Sequence, residues 1–397
     1  MNQLNDDQEK IRQAAVKWFF NESEQLFQIA GAAGTGKTFL IYEILRSLNL
    51  NPDQYLAMAY TGQASIVMRT RGFLSAKSIH SSLYELVEVA DYDNISEAFN
   101  LPKKKKVFRL RPFIEDSIKL IFIDEAYMVP KRMIKDILSF GIKTIVCGDP
   151  NQLPPVGDDP GFLIDGKVHR LNQLMRQAES SPIVYIANRA NKDLPIHCGR
   201  YGDQVLVITD DDIVPEMFTD FAQCVCCGTN RTREIMNSNI RSLMGYSGQL
   251  PTFGERVICR QNNWDINCLG ISLCNGLCGT VLSPADISRY DGNIFTIDFK
   301  PDLVNDYFRH LSCNMEYFLA PYSRKQEMKS MDKNYTKGEF FEYAYCLTTH
   351  LCQGSEYQTG IYIEEFTRPQ MQRALNYTGI TRFKQGLIYI KKKNKYF

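Results

Sequence analysis

The sequence lacks an excess of one charge, a long hydrophobic run and a low-complexity linker. Its 397 residues carry 46 Lys and Arg against 45 Asp and Glu, a formal net charge of +1. This balance excludes a strongly basic histone-like binder and an acidic solvating chain, whereas a local basic groove remains compatible with it. No apolar run approaches the ~18 residues that span a membrane, and the polar start MNQLNDDQEKIRQ has no apolar signal core. We therefore expect an intracellular protein without a membrane partner.

Short apolar runs alternate with helical patterns along the first part of the chain. QLFQIA (25–30), KLIFIDEA (119–126) and TIVCGDP (144–150) each end in turn signals and predict buried parallel strands. FLIYEILRSL (39–48) spaces its apolar residues as a helix does. This alternation is typical of a doubly wound α/β domain, and the length allows two to four domains.

The same alternation returns later and predicts a second α/β core. Its strands are read at 205–209, 223–230, 254–261, 343–350, 360–365 and 386–392, with a helix at about 231–244. Residues 84–118 and 281–340 fit neither core, so we interpret them as inserted subdomains, the first small and basic, the second β-rich. The expected domains are 1–83 with 119–175, the insert 84–118, 176–280 with 341–397, and the insert 281–340.

One glycine-rich segment carries the clearest chemistry. Residues 31–38, GAAGTGKT, fit the pattern G-x-x-x-x-G-K-[ST] between a predicted strand and a predicted helix. The backbone N–H groups of such a loop cradle phosphate, and the helix N-terminus adds positive potential. Lys37 is predicted to bind the β- and γ-phosphates and Thr38 to bind Mg²⁺. The cofactor-binding candidates are Gly31, Ala32, Ala33, Gly34, Thr35, Gly36, Lys37 and Thr38.

Two further polar groups follow the next predicted strands. Asp124 and Glu125 end LIFIDEA, where a P-loop enzyme needs a Mg²⁺ ligand and a base for the attacking water. Asp124 is the predicted metal ligand and Glu125 the predicted general base. GDPNQLPPV (148–156) is a proline-flanked turn that would fix Gln152 near the γ-phosphate.

GAAGTGKT, IDEA, GDPNQLPPV and the later GSE and TGITR resemble the ordered motifs of superfamily 1 helicases, most closely the RecD-like and phage Dda-like branch, which moves 5′ to 3′ on single-stranded DNA. The resemblance runs from about residue 4 to 390. It implies two RecA-like cores that sandwich ATP and Mg²⁺, a small wedge or pin insert at 84–118 and an SH3-like β-rich insert at 281–340.

The resemblance extends the nucleotide site. Gln8, in LNDDQEKI, resembles the glutamine that reads the adenine edge. Gly354 and Glu356 resemble residues near the γ-phosphate and the ribose. Arg176, in LNQLMRQ, and Arg382, in TGITRFK, resemble two arginine fingers, which would couple hydrolysis to closure of the cores.

The resemblance also implies a path for single-stranded DNA. Its contacts would be Thr61, His80, Asn230, Thr349 and His350. After His350 this chain has Leu351 and Cys352, where the family usually has a small or basic residue and then Ser or Ala. That departure puts one local DNA or relay contact in doubt and leaves the motif itself in place.

The insert 84–118 contains a lysine run, 103–106, with Phe99 and Phe108 close by. One interpretation is a DNA-facing wedge, in which cations hold phosphates and an aromatic ring stacks on the terminal base pair. The other is a solvated charged loop. Phe99 and Phe108 are the wedge candidates, and Tyr92 is a third.

Together these features predict a monomeric ATP-dependent DNA helicase of the bacterial or phage-infected cytoplasm. Its expected partners are single-stranded DNA, forked duplex DNA and a single-strand-binding or replication protein. Two alternatives stay open, an RNA-directed superfamily 1 helicase and a DNA-stimulated P-loop ATPase that remodels a protein partner. Replication, recombination and repair are not distinguished by the sequence.

Overall fold

The computed structural model describes residues 4–96, 101–163, 166–175, 179–287, 292–331 and 337–392. Within these ranges the strands form two six-stranded sheets, one five-stranded sheet and two two-stranded ladders. No helix in the described ranges is long and apolar enough to cross a membrane.

The first core surrounds a parallel sheet whose strands lie in the order Lys77–Ser78, Tyr55–Ala59, Leu120–Asp124, Lys143–Gly148, Leu26–Gly31 and Val168–Leu171, or β3-β2-β6-β7-β1-β8. Its central strands β1, β6 and β7 are almost wholly buried, as the near-continuous apolar runs require of a sheet covered on both faces. The elements are α1 (Asp6–Phe19), β1 (Leu26–Gly31), α2 (Lys37–Ser47), β2 (Tyr55–Ala59), α3 (Gly62–Thr70), β3 (Lys77–Ser78), α4 (Ile79–Leu83), β4 (Tyr84–Ser96), β5 (Leu101–Leu110), β6 (Leu120–Asp124), α5 (Met133–Leu138), β7 (Lys143–Gly148) and β8 (Val168–Leu171).

The insert is an antiparallel pair, β4 with β5, that projects from the first core. Tyr84 pairs with Leu110 at the end of the ladder next to α4, and Ser96 pairs with Leu101 at the far end. Phe108 faces Leu86, two residues from the core end. The insert is therefore a long β-ribbon, and Phe108 belongs to its base.

Next come α6 (Pro182–Asn191), β9 (Gly199–Tyr201), β10 (Val205–Thr209), β11 (Cys224–Cys227) and α7 (Asn230–Leu243). The β-rich unit then follows with β12 (Arg256–Cys259), β13 (Asn263–Cys268), β14 (Ile271–Leu273), β15 (Cys278–Val281), β16 (Ile294–Pro301), β17 (Phe308–Asn314), α8 (Met315–Leu319), α9 (Tyr322–Ser330) and β18 (Phe341–Tyr343). The chain ends with β19 (Cys346–Thr348), α10 (Thr349–Cys352), β20 (Tyr357–Ile363), α11 (Pro369–Ile380) and β21 (Phe383–Lys391).

The second core has the sheet order β19-β11-β20-β21-β10-β9. Its strands are parallel except for the edge strand β9, which runs antiparallel to β10. Two parallel sheets flanked by helices confirm the predicted α/β architecture.

The β-rich unit is larger than the expected 281–340. Its antiparallel sheet, in the order β17-β16-β15-β12-β18, begins at Arg256 and ends at Tyr343. The run at 254–261 therefore belongs to this unit, and assigning it to the second core was wrong. Val257, Ile258 and Cys259 are all buried, so the run has no alternation that would separate it from a parallel core strand.

The two cores meet through the turn after β7 and helix α11. Gln353 Nε2 donates to the Leu153 carbonyl at 2.8 Å, and Leu153 N donates to Thr378 Oγ1 at 2.9 Å. Tyr377 Oη donates to Asp149 Oδ2 at 2.5 Å. These buried contacts place the motif around Gln152 directly against the second core.

Candidate functional site

The glycine-rich loop lies between β1 and α2, as its position between a strand and a helix predicted. Gly36 precedes α2 with a φ of 76°, a left-handed conformation that favours glycine, and no side chain caps the helix start. Lys37 Nζ donates to the carbonyls of Gly31 and Ala32 at 2.9 and 3.1 Å. An uncapped helix N-terminus beside a lysine is a suitable cradle for phosphate.

Side chains from two distant segments pack against this loop. Gln8 is fully buried on α1, and its Nε2 donates to the Thr35 carbonyl at 3.1 Å. Ala33 N donates to Tyr377 Oη of the second core at 2.9 Å. The loop is thus held from α1 on one side and from α11 on the other, which places Gln8 at the loop.

The two predicted metal ligands face one point. Arg71, just after α3, donates from Nη1 to Thr38 Oγ1 at 3.0 Å, and the same Nη1 lies 3.9 Å from Asp124 Oδ2. A hydroxyl and a carboxylate that share one cationic neighbour form a donor set that suits Mg²⁺. The residues present therefore fit the metal that the glycine-rich loop implies.

Asp124 and Glu125 leave β6 at its carboxyl end. Burial, and then the charge of Glu125, raise the pKa of Asp124 to about 6. A cation beside Asp124 favours its charged form, as Arg71 does here. Glu125 has a φ of 50°, an uncommon left-handed conformation that turns the chain away from the strand direction.

The second core closes this site. A cavity of about 10 Å³, the size of a single water, is lined by residues of both cores, among them Arg71, Asp124, Glu125, Gly354, Glu356 and Arg382. Arg382 is 4% exposed. Its Nε donates to the Thr378 carbonyl at 3.0 Å and its Nη1 to the Ser355 carbonyl at 3.2 Å. The predicted finger Arg382 therefore lies beside the predicted base.

Glu356 is held by two cations. Its Oε1 accepts from Arg71 Nη2 at 2.6 Å and lies 2.5 Å from Lys384 Nζ. Burial raises the pKa of Glu356, but Lys384 and Arg71 outweigh it and lower the pKa to about 2. Gly354 lies so close to α3 that a Cβ there would be 2.6 Å from Ala64 Cβ. Both residues line the cavity beside Asp124.

Gln152 lies on a different opening between the cores. Its side chain is 4% exposed, and its Oε1 has no hydrogen-bond partner in the described part of the chain. It lines a cavity of about 690 Å³ together with His350, Arg368 and Arg373. A buried carbonyl oxygen without a donor is costly, which indicates that a ligand or water completes this position.

The first two predicted DNA contacts flank a groove beside the inserted ribbon. Thr61 caps α3 by accepting from Ala64 N at 3.1 Å. His80 lies 5.6 Å from the rings of Tyr84 and Phe108, and burial lowers its pKa, so the ring is neutral near pH 7. A cavity of about 430 Å³ runs past these rings and is lined by, among others, Arg69, Lys77, His80, Phe108, Arg111 and Trp264.

Two predicted roles disagree with the structure. The Thr349 side chain is fully buried, and its Oγ1 donates to the Cys227 carbonyl at 3.1 Å, so it cannot contact DNA. Thr349 lies at the start of α10, and this position turns its side chain inwards. Phe108 packs edge-to-face on Trp264 at 5.5 Å, at the base of the ribbon, so a wedge at the tip is excluded for it.

Asn230 and His350 lie on the second core. Asn230 begins α7, where the Glu365 carboxylate accepts from the backbone N–H groups of Gly228 and Thr229 at 2.6 and 2.7 Å. Burial lowers the pKa of His350. Arg176 and Phe99 lie outside the described residues, and the side chain of Tyr92 is likewise not described.

Sequence reasoning missed three residues of these sites: Arg71, Tyr377 and Trp264. Arg71 sits in an irregular turn, and its partners are 33 and 285 positions away in the chain. Trp264 reaches Phe108 from the β-rich unit. The only available signal was the unusual density of arginine in MRTRG, residues 68–72.

A family model described as an AAA domain matches residues 12–158. The Pif1 ATP-dependent DNA helicase of Bdellovibrio bacteriovorus is 31% identical over 156 residues, which cover 36% of this chain and 32% of that protein. The Rattus norvegicus PIF1 helicase is 27% identical over 211 residues, 49% of this chain and 30% of the relative. The chain thus spans about a third of the length of these relatives.

Solved structures match over nearly the whole chain. The Bacteroides Pif1 helicase in complex with ADP-AlF3 and single-stranded DNA aligns with a TM-score of 0.54 and 15% identity, over 98% of this chain and 92% of that one. The chain has the Pif1 helicase fold. A structure of two coordinating Pif1 helicases at forked double-stranded DNA has the same coverage, with a TM-score of 0.55 and 16% identity. These likenesses confirm two RecA-like cores.

Proposed function

We propose that this protein is an ATP-dependent DNA helicase of superfamily 1, similar to the Pif1 helicases, that moves 5′ to 3′ on single-stranded DNA and unwinds duplex DNA. The observation that carries the proposal is the convergence of both cores on one small cavity. Asp124 and Glu125 line it from the first core, and Glu356 and Arg382 line it from the second. Thr38 is linked to it through its hydrogen bond with Arg71. A nucleotide between two cores is the arrangement that couples hydrolysis to domain movement.

The residues divide the chemistry among them. Lys37 would leave the loop carbonyls and bind the β- and γ-phosphates, while Thr38 and Asp124 would hold Mg²⁺. The metal neutralises charge on the phosphate oxygens. Glu125 would accept the proton of the attacking water, and Arg382 would stabilise charge that develops on the γ-phosphate. Arg382 also donates to the carbonyl of Ser355, the residue before Glu356. The same side chain would therefore contact the γ-phosphate and take part in closure of the two cores.

The groove beside the ribbon supports a nucleic-acid substrate. It combines the cations Arg69, Lys77 and Arg111 with the rings of Phe108 and Trp264. Cations track the phosphate backbone and aromatic rings stack on bases, so the groove is suited to single strands of any sequence. The relatives' names and the structures with single-stranded and forked DNA support DNA as this substrate.

The direction of movement and the branch are part of the proposal. The ordered motifs resemble the RecD-like and phage Dda-like branch, whereas the relatives found are Pif1 helicases. A 5′ to 3′ polarity is common to both assignments. A single-strand-binding or replication protein is proposed as a loading partner, and the cytoplasm of a bacterium or phage-infected cell as the compartment.

The test is unwinding of forked substrates that carry only a 5′ or only a 3′ single-stranded tail, with no partner protein. We expect displacement with ATP from the 5′-tailed substrate and none from the 3′-tailed one. Displacement from the 3′ tail alone would overturn the polarity. ATPase activity that responds to DNA without displacing either strand would favour a partner-remodelling ATPase, and stronger stimulation by poly-U than by poly-dT would favour an RNA-directed helicase.

A further inference from the structure

A cluster of buried cations lies where the second core meets the β-rich unit, away from both sites described above. Arg233 on α7 and Arg260 just after β12 both bind the carboxylate of Glu342 on β18. Arg233 Nη1 contacts Oε2, and Arg260 Nε donates to Oε1 at 3.3 Å. Tyr317 Oη donates to the same Oε1 at 2.7 Å. Two guanidinium groups thus converge on one carboxylate.

Helix α9 adds two lysines to this cation cluster. Lys325 Nζ and Lys329 Nζ lie 5.8 and 5.9 Å from the centre of the Tyr317 ring, whose hydroxyl is bound to Glu342. Lys325 is 8% exposed and Lys329 is half-buried. Counting the described residues, four cations surround Glu342, and Glu234 is a second acidic group whose charge acts on Lys325. Positive charge therefore exceeds negative charge in a largely buried space.

Three guanidinium nitrogens of the cluster have no acceptor. Arg233 is 2% exposed, yet its Nε and Nη2 lack a hydrogen-bond partner in the described residues, as does Nη1 of Arg260. Burying an unpaired charged donor is strongly unfavourable, so such groups are normally satisfied by a carboxylate, water or a bound anion. The missing acceptors and the missing negative charge are in the same place.

The electrostatics point in the same direction. Burial raises the pKa of Glu342, but Arg260 and Arg233 outweigh it and hold the pKa well below its ordinary value. Burial, and then Arg260, lower the pKa of Lys329 to about 8. The charge of Arg260 adds to burial in lowering this pKa, so Lys329 lies beside positive charge that Glu342 does not fully offset.

We infer that the cation cluster binds one phosphate group, with Nε and Nη2 of Arg233 and Nη1 of Arg260 as donors and Lys329 at the entrance. Phosphate offers several acceptor oxygens and more than one negative charge, which match the free nitrogens and the excess charge. The inference does not depend on the proposed helicase activity. The phosphate is either a free inorganic ion or a backbone phosphate of DNA, since Arg233 lies three residues after Asn230 on α7.

The test is equilibrium dialysis of the full chain with radiolabelled inorganic phosphate, with a non-hydrolysable ATP analogue and Mg²⁺ at saturation so that the nucleotide site, including its γ-phosphate position, is filled. We expect about one further phosphate per chain. Lys329→Gln should weaken its binding by about tenfold or more, as expected for loss of a charge in a partly buried site. Lys329→Arg keeps the charge and should retain binding.

The matched control is Arg324→Gln on the same helix. It removes the same charge from a side chain that is 42% exposed and pairs with Glu316 and Glu327, so phosphate binding should not change. A second measurement distinguishes a free phosphate from a DNA phosphate. If the phosphate belongs to DNA, Lys329→Gln should reduce the slope of log K for oligo-dT binding against log salt concentration by about one unit. Arg324→Gln should leave that slope unchanged.

Either a bound free phosphate or the altered slope supports the site. If the wild-type chain binds no further phosphate and Lys329→Gln leaves the salt dependence of oligo-dT binding unchanged, the site is overturned; the first of these measurements does not depend on the variants folding. Equal losses of phosphate binding in Lys329→Gln and Arg324→Gln would also overturn the site, because a general change of surface charge would then explain the effect. The helicase proposal would be untouched by either failure.

Discussion

The guanidinium of Arg71 donates to the hydroxyl of Thr38 at 3.0 Å, in the place where a metal ion would join Thr38 to Asp124. The other end of the same guanidinium binds Glu356 of the second core at 2.6 Å. One side chain therefore links the metal ligands to the opposite core. A divalent cation at Thr38 and Asp124 would compete with this charge for the same oxygens.

Arg71→Ala is expected to lower the Mg²⁺ concentration needed for half-maximal nucleotide binding. Removing a cation from a partly buried site should favour the metal by about fivefold, close to 1 kcal/mol. A fluorescent ADP analogue titrated with Mg²⁺ measures the effect. Arg46→Ala, which removes a surface charge paired with Glu43 on α2, is the control. A higher Mg²⁺ requirement for Arg71→Ala would show that Arg71 binds phosphate instead.

Glu125→Gln is expected to retain ATP binding and to lose turnover, because the amide cannot accept the proton of the attacking water. Lys37→Ala should differ, with partly weakened nucleotide binding and severely reduced catalysis, since the loop amides still cradle phosphate. Single-turnover hydrolysis and equilibrium nucleotide binding distinguish the two variants. Near-normal DNA-stimulated turnover in Glu125→Gln would remove Glu125 from the role of base.

Arg382→Ala is expected to reduce kcat by about 10³-fold and to change ATP affinity only modestly, the behaviour of an arginine finger. The structure adds a second consequence. Arg382 is buried and donates to two carbonyls, so its loss should also lower the free energy of unfolding by about 1–3 kcal/mol. Arg382→Lys retains the positive charge but lacks the planar guanidinium group, so its kcat tests whether that planar geometry is needed. Lost ATP binding without a further kcat effect would make Arg382 a ground-state anchor.

The predictable parts of the site are those where local sequence dictates local geometry. A strand, a glycine-rich turn and a helix placed Lys37 and Thr38, and an apolar strand ending in acids placed Asp124. Arg71 could not be found in this way, because its role depends on partners far away in the chain. The burial of Thr349 could not be found in this way either, because the direction of its side chain is set by the start of α10 and by Cys227.

Local sequence patterns also could not predict which sheet a buried strand joins. Residues 257–259 are buried and apolar in the antiparallel sheet, as residues 224–227 are in the parallel one. Burial on both faces removes the alternation that distinguishes the two kinds of strand. The pairing of β12 with β15 and β18 is decided by long-range packing, so the boundary of the β-rich unit could not be read from this segment.

Phe108→Ala is expected to weaken single-stranded DNA binding by about 5- to 100-fold, the range for loss of one stacked base. Because Phe108 lies beside His80 and Trp264, DNA-stimulated ATPase should fall together with unwinding. Phe113→Ala is the control, since that ring is 75% exposed. Oligo-dT affinity and strand displacement are the measurements. Normal affinity with lost unwinding would return Phe108 to a strand-separating role.

Lys329 should make the stability of the ligand-free protein depend on pH. Its pKa is lowered from 10.5 to about 8 in the folded chain, first by burial and then by Arg260. Between these values the unfolded chain binds more protons, so the free energy of unfolding should rise with pH from about 8 towards 10.5. Lys329→Met removes the titration and should flatten this part of the profile.

Urea midpoints at pH 7.5 and 9.5, for wild type and Lys329→Met in chloride buffer, measure that difference, and the other titrating groups cancel in the comparison. Saturating phosphate should abolish the rise in the wild type, because a bound anion favours the charged lysine and moves its pKa back up. Lys325→Met should also flatten the pH dependence of the free energy of unfolding, because burial lowers the pKa of Lys325 as well. A wild-type profile parallel to that of Lys329→Met would show that the folded chain does not depress the pKa of Lys329.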